Sequence, residues 1–135
     1  MTKNKITSEL VSWGIYSSWK PGEKELPEIK KFTHTIPARV GIEFGYVLKI
    51  RKGRGKRLSY RIEHPPFPDA DGNSTPPFEG DVLIKSNDWD FFLGDSIWEP
   101  VGDKTGTWRL EVSLDGAILA DESFLIVDEN DLSAD

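Results

Sequence analysis

The chain has 135 residues, 37% of them hydrophobic and 30% charged, with five Trp and seven Phe. That is enough apolar material for one folded domain, and it is too aromatic for a disordered segment. There is no Cys, which excludes disulfides, thiolate metal sites and Cys nucleophiles; with only two His, His34 and His64, a His-rich metal centre is disfavoured, and no cofactor is expected. The formal net charge is −6, yet seven of the thirteen residues from Lys49 to Arg61 are Lys or Arg.

The opening residues, MTKNKITSELVSWG, show neither the apolar run nor the small-residue cleavage site of a secretory leader. No stretch approaches the roughly 18 apolar residues that span a bilayer, so a cytoplasmic protein is expected. Twelve Gly and nine Pro punctuate short apolar runs, a pattern of strands and turns rather than helices. Val11, Trp13 and Ile15 alternate as a first strand. Residues 23–31, EKELPEIKK, suggest a short helical turn that Pro27 interrupts.

In VGIEFGYVLKI, the even positions Val40, Ile42, Phe44, Tyr46, Leu48 and Ile50 are all apolar, which predicts a half-buried strand with those side chains on one face. Leu58, Tyr60 and Ile62 repeat the alternation, and the intervening KGRGK reads as a hairpin turn. Val82–Ile84 and Phe91–Leu93 are shorter candidates. Trp108, Leu110 and Val112 alternate near the end and lead into SLDGAI, whose Asp-Gly marks a hairpin. A two-residue turn pairs Leu114 with Ala117 and sends Phe124 and Ile126 to the face opposite Trp108. A bulged three-residue loop, Leu114–Asp115–Gly116, pairs Ser113 with Ala117 and returns Phe124 to the Trp108 face. A slip of one residue inverts every side chain, so burial favours the bulged loop. Residues 128–135 form an acidic tail; with no repeat and no linker, 1–135 reads as a single domain with its core over about 8–127.

The expectation is an all-β antiparallel sandwich of about seven or eight strands. Three stretches carry a family resemblance. IPARVGIEFGYVLKI has a Pro before a strand with a Gly-x-x-Phe-Gly step, Gly41 to Gly45; His64–Pro66 ends the next strand; and IWEPVGDKTGTWRLEVSLDGAILADESFLIV resembles a closing block of Trp-Glu, Gly-x-Trp, an Asn/Asp-Gly turn and a final Phe-x-Val. Over roughly residues 13–127 the chain resembles a bacterial family known as a domain of unknown function, number 3859. The segment before Trp108 is longer than the tight Pro-Gly-x-Trp of that family. The resemblance implies an immunoglobulin-like β-sandwich and no particular activity.

The basic stretch is the first candidate surface: Lys49, Arg51, Lys52, Arg54, Lys56, Arg57 and Arg61. It can be read as a solvated hairpin, a dock for an acidic partner, or a nucleic-acid contact. Tyr60 is its sole aromatic and falls on the core face, and the rest of the chain has ten bases against twenty-three acids; both count against nucleic acid. The second candidate is NDWDFFLGD, where Trp89, Phe91 and Phe92 gather among acids as an exposed apolar patch or as an edge strand over the core. Trp13 and Trp108 are assigned to the core, and Trp19, Trp89 and Trp98 are left open for a carbohydrate-stacking reading. Asp69, Asp71 and Asn73 suggest a calcium loop, but Gly72 and Glu79 miss the required spacing. Asn73-Ser74-Thr75 is a chance match to a glycosylation acceptor. No carboxylate pair, nucleophile elbow or phosphate loop accompanies His34. The sequence therefore points to a non-catalytic interaction protein, either a homodimer or an accessory subunit, ahead of a ligand-binding module and a hydrolase.

Overall fold

The computed structural model describes residues 5–17 and 25–132. They form two sheets packed face to face. One runs β2 (Ile29–Phe32), β1 (Thr7–Tyr16), β4 (Glu43–Arg51), β7 (Asp88–Ser96). The other runs β3 (Thr35–Pro37), β9 (Ala117–Val127), β8 (Gly106–Leu114), β5 (Arg57–Glu63), β6 (Phe78–Leu83). Pairing is antiparallel throughout except for β3 beside β9. A 3-10 turn, Val101–Lys104, and a helical turn α1 (Glu129–Leu132) complete the described chain. None of its helices is long and apolar enough to cross a membrane.

The nine strands among the described residues exceed the expected seven or eight because β2 and β3 are too short to show alternation. The helical turn predicted over 23–31 is overturned where it is described. Ile29 to Phe32 are extended against β1, with Ile29 packed near Tyr16 and Val47. Residues 23 and 24 lie outside the described residues, as does Trp19.

The alternation of β4 is borne out at Phe44, Tyr46, Leu48 and Ile50, which meet Leu58, Ile62, Trp108, Leu110, Phe124 and Ile126 between the sheets. Phe44 lies edge-on to Trp108 and Phe124, the offset geometry that aromatic quadrupoles favour. Val40 departs from the pattern: it precedes the strand and is exposed. Val47, on the outer face, is also buried, because Tyr16 and Phe92 cover it from either side. Val11 falls at a bulge in β1 and is exposed; Trp13 is half-buried against the core edge, its ring 4.9 Å from Phe32.

The β8–β9 hairpin corrects one prediction and keeps its result. Leu114 pairs with Ala117 across a two-residue Asp115-Gly116 turn, both residues at positive φ (50° and 83°). The bulge lies further along: Ser113 pairs with Ile118 and Val112 with Ala120, leaving Leu119 as the extra residue. That offset brings Phe124 opposite Trp108, both fully buried. Burial therefore decides the face, and the bulge rather than the turn supplies the missing residue.

Candidate interaction site

The basic stretch does not form a hairpin. β4 and β5 belong to different sheets, so residues 52–56 form an arch across the end of the sandwich. Lys52 at φ 64° and Gly55 at φ 89° turn the chain, and Gly53 sits against Ile50 and Ile84, where a Cβ would come within 3.2 Å of side chains. A second arch, between β6 and β7, lies against the first. Lys52 N–H donates to the Asn87 carbonyl (2.8 Å), Gly55 N–H to Ile84 (2.9 Å), and Ile84 N–H back to Lys56 (2.9 Å). The local sequence gave no sign that the chain changes sheets, because a turn and an arch use the same residues.

The arch divides the seven cations. Lys49 and Arg51 lie on the outer face of one sheet, and Arg57 and Arg61 on that of the other. Lys49 Nζ is held by Asp88 (3.0 Å) and Asp90 (3.1 Å), which raises its pKa through those hydrogen bonds and lowers that of Asp88. Arg61 bridges Glu63 and Glu79, and Lys56 reaches Asp115. Among the described residues, only Lys52, Arg54 and Arg57 of the seven have no ion-pair partner. The candidate patch is thus a set of neutralised positions around three free cations.

The aromatic segment is an edge strand. β7 pairs with β4 alone, and its other side is open among the described residues. Phe92 faces outward and is buried on Tyr16 (4.9 Å), so of the two readings of this segment the exposed apolar patch fails at that residue and the edge strand holds. Trp89 and Phe91 face inward, half-buried and stacked at 5.5 Å. On the same lateral side, β6 is the edge of the second sheet. Between these two edges opens a cleft of about 470 Å³, lined by Tyr60, Ile62, Phe78, Phe91, Leu93 and Asp95, among others. Gly80 of β6 makes room for its floor, since a Cβ there would fall 2.5 Å from the Tyr60 hydroxyl. Burial raises the pKa of Asp95 above the ordinary carboxylate value, against the opposing pull of the Ser96 N–H and of His64. Sequence reasoning missed Asp95; its inward position follows from the 89, 91, 93, 95 alternation of a strand predicted too short.

The opposite end of the sandwich holds the longer connections. Phe67 anchors the 64–77 loop by inserting beside Trp108 and Trp98. His64 meets the carbonyl oxygens of Pro65 (2.8 Å) and Pro76 (2.9 Å) and stacks on Phe67. Asp69 Oδ1 accepts the N–H groups of Asp71 and Asn73, so the candidate calcium loop is closed by an Asx turn on its own carboxylate. Lys104, 1% exposed, lies over the rings of Phe67 and Trp98, with Nζ donating to Pro100 O (3.0 Å) and to Asp103. Trp98 is partly exposed and backs this lysine. A broader hollow of about 860 Å³ beside it is lined by Arg39, Glu99, Val101 and Glu129, among others, and Arg39 is already paired with Glu129. His34 stacks on Phe124 and bonds Glu122 (2.9 Å).

Of the two hollows, the smaller joins an open strand edge, an aromatic floor and a carboxylate with no Lys or Arg paired to it among the described residues; it is the better built to bind. The chain is similar in fold to an immunoglobulin-like protein from Pseudomonas aeruginosa, whose crystal structure superposes with a TM-score of 0.76 at 21% identity. That match covers 92% of this chain and 98% of the other, and it makes the architecture an immunoglobulin-like β-sandwich. No match was found among curated proteins. The sequence model of the family described as a domain of unknown function, DUF3859, matches residues 4–126, and the chain belongs to that family.

Proposed function

We propose that this immunoglobulin-like domain is a non-catalytic interaction module that holds a protein partner along its β6–β7 side. The observation that carries the reading is the nine-residue β7, unpaired on its outer side among the described residues, beside an aromatic cleft. In an antiparallel edge strand, alternate residues turn N–H and C=O groups outward, and an added strand satisfies them. Short edges with Lys or Pro resist such addition; β7 is long and contains neither. The arch is the weaker candidate, because its cations diverge onto two faces instead of tracking a phosphate backbone.

Photocrosslinking tests the reading. A photoreactive residue at exposed Asp90 should give an adduct in cells, and the same residue at Ser123, on the outer face of β9, should not. Equal adducts from both positions, or none from Asp90, would refute it. Light scattering then separates the partners: a mass above 15.2 kDa for the purified chain makes the partner a second copy.

A further inference from the structure

The cleft on the β6–β7 side has a composition that selects its occupant. Its walls, Tyr60, Ile62, Phe78, Phe91 and Leu93, are apolar or aromatic, and its volume, about 470 Å³, exceeds what one aliphatic side chain fills. At one end stands Asp95, inward-facing on β7, with its own neighbour's N–H (Ser96, 2.8 Å) as hydrogen-bond donor. Among the described residues, no Lys or Arg pairs with this carboxylate. His64, which acts on it electrostatically, turns both ring nitrogens to the carbonyls of Pro65 and Pro76. A half-buried carboxylate beside an apolar wall is a costly arrangement unless a cation meets it. The strands on either side share its sign, with their acids engaged on the outer faces: on β6 Glu79 pairs with Arg61 and Asp81 accepts from the Ser59 hydroxyl, and on β7 Asp88 and Asp90 pair with Lys49.

Resting on the reading of this side as the binding side, we propose that the cleft receives a long cationic side chain, Lys or Arg, carried on an extended partner strand that adds to β7. The aliphatic stem packs on Phe78, Phe91 and Leu93 while the charged head meets Asp95, with Tyr60 also lining the cleft. Main-chain hydrogen bonds to β7 supply sequence-independent affinity, and the pocket supplies the choice of side chain.

The test uses the whole chain and three synthetic peptides of alternating Thr and Val, about as long as β7, with Lys, Met or Glu at the centre. Binding is followed by Trp fluorescence and by hydrogen-exchange protection of the β7 amides. The Lys peptide is expected to bind about tenfold more tightly than the Met peptide, with the Glu peptide weakest. Asp95→Asn should abolish the difference between Lys and Met. In the wild-type chain, the Lys peptide should also lower the midpoint at which the Asp95 carboxyl titrates by NMR, a readout that needs no variant to fold. Equal affinities for Lys and Met, a preference that survives in Asp95→Asn, or an unmoved Asp95 midpoint each overturn the proposal. If Met and Lys peptides both protect β7 but bind equally, only the cation pocket falls. If no peptide protects β7, the interaction reading falls with it.

Discussion

Lys104 tests whether the loop-bearing end is held by charge or by shape. Its ammonium is almost wholly excluded from water, with two oxygen acceptors, Pro100 O and Asp103, and two aromatic faces at 4.7 and 4.5 Å. Removing one member of a buried pair leaves the other uncompensated, at about 3–5 kcal/mol when both are fully buried. The Asp103 side chain is 27% exposed, so water screens part of that loss, and Asp103→Ala should cost about 2–3 kcal/mol. Lys104→Met keeps the stem against Phe67 and Trp98. It gives up cation–π attraction of about 1–2 kcal/mol but also removes the desolvation of the ammonium, so its net cost should stay within about 1 kcal/mol. The double variant should resemble Lys104→Met alone, because the stranded charge is gone. Urea unfolding followed by Trp fluorescence reports these differences as shifts in midpoint at constant slope. A cost for Asp103→Ala below about 0.5 kcal/mol, or a larger cost for Lys104→Met than for Asp103→Ala, refutes the reasoning.

Tyr46→Phe removes a buried bond to the Leu110 carbonyl (2.9 Å) and should lower stability by about 1–2 kcal/mol; calorimetry showing an unchanged Tm would contradict that role. Gly45→Ala places a Cβ 2.1 Å from the Leu93 carbonyl oxygen at φ +150°, so soluble, wild-type-like protein by circular dichroism is the unexpected result. Because burial raises the folded-state pKa of Asp95, the folded chain binds more protons than the unfolded one as pH climbs from the unfolded value to the folded one, and stability falls across that window. Asp95→Asn should therefore raise Tm at neutral pH, with the gain vanishing below about pH 4; a variant no more stable at pH 7 contradicts it. Lys52→Glu with Arg54→Glu touches exposed side chains without ion-pair partners among the described residues and should shift stability by less than about 0.5 kcal/mol by urea titration.

Much of the fold was legible where one face of a strand is buried. Phe44 to Ile50, Leu58 to Ile62 and Trp108 to Val112 announce their inner faces because period-2 alternation is the direct record of a core on one side and water on the other. It fails at Val47 and Phe92, which are covered on the outer face by residues distant in sequence. It fails again at Val11, where a bulge resets the phase. The arch was illegible because two strands joined by a Gly-rich turn alternate identically whether they pair or face each other. The proposed binding side was half legible. NDWDFFLGD stood out for its aromatics, but Asp95 gains its meaning from Tyr60 and Phe78 across the gap, a juxtaposition that only the sheet order creates.

The stacked arches also bear on how the chain reaches this structure. A hairpin rewards its own closure at once, whereas strands joined by an arch gain their hydrogen bonds from other partners. β4 finds its neighbours in β1, behind it, and β7, which begins 37 residues after β4 ends. Between those two points the chain must lay down β5 and β6 in the opposite sheet. Loop-closure entropy is thus spent before most native pairings can form, which places the domain among the slow folders of its size, on the scale of milliseconds to seconds. Until β7, the last strand of its sheet in chain order, is paired, it carries Trp89, Phe91 and Phe92 uncovered, so the side proposed for recognition is also where a newly made chain is exposed to wrong partners.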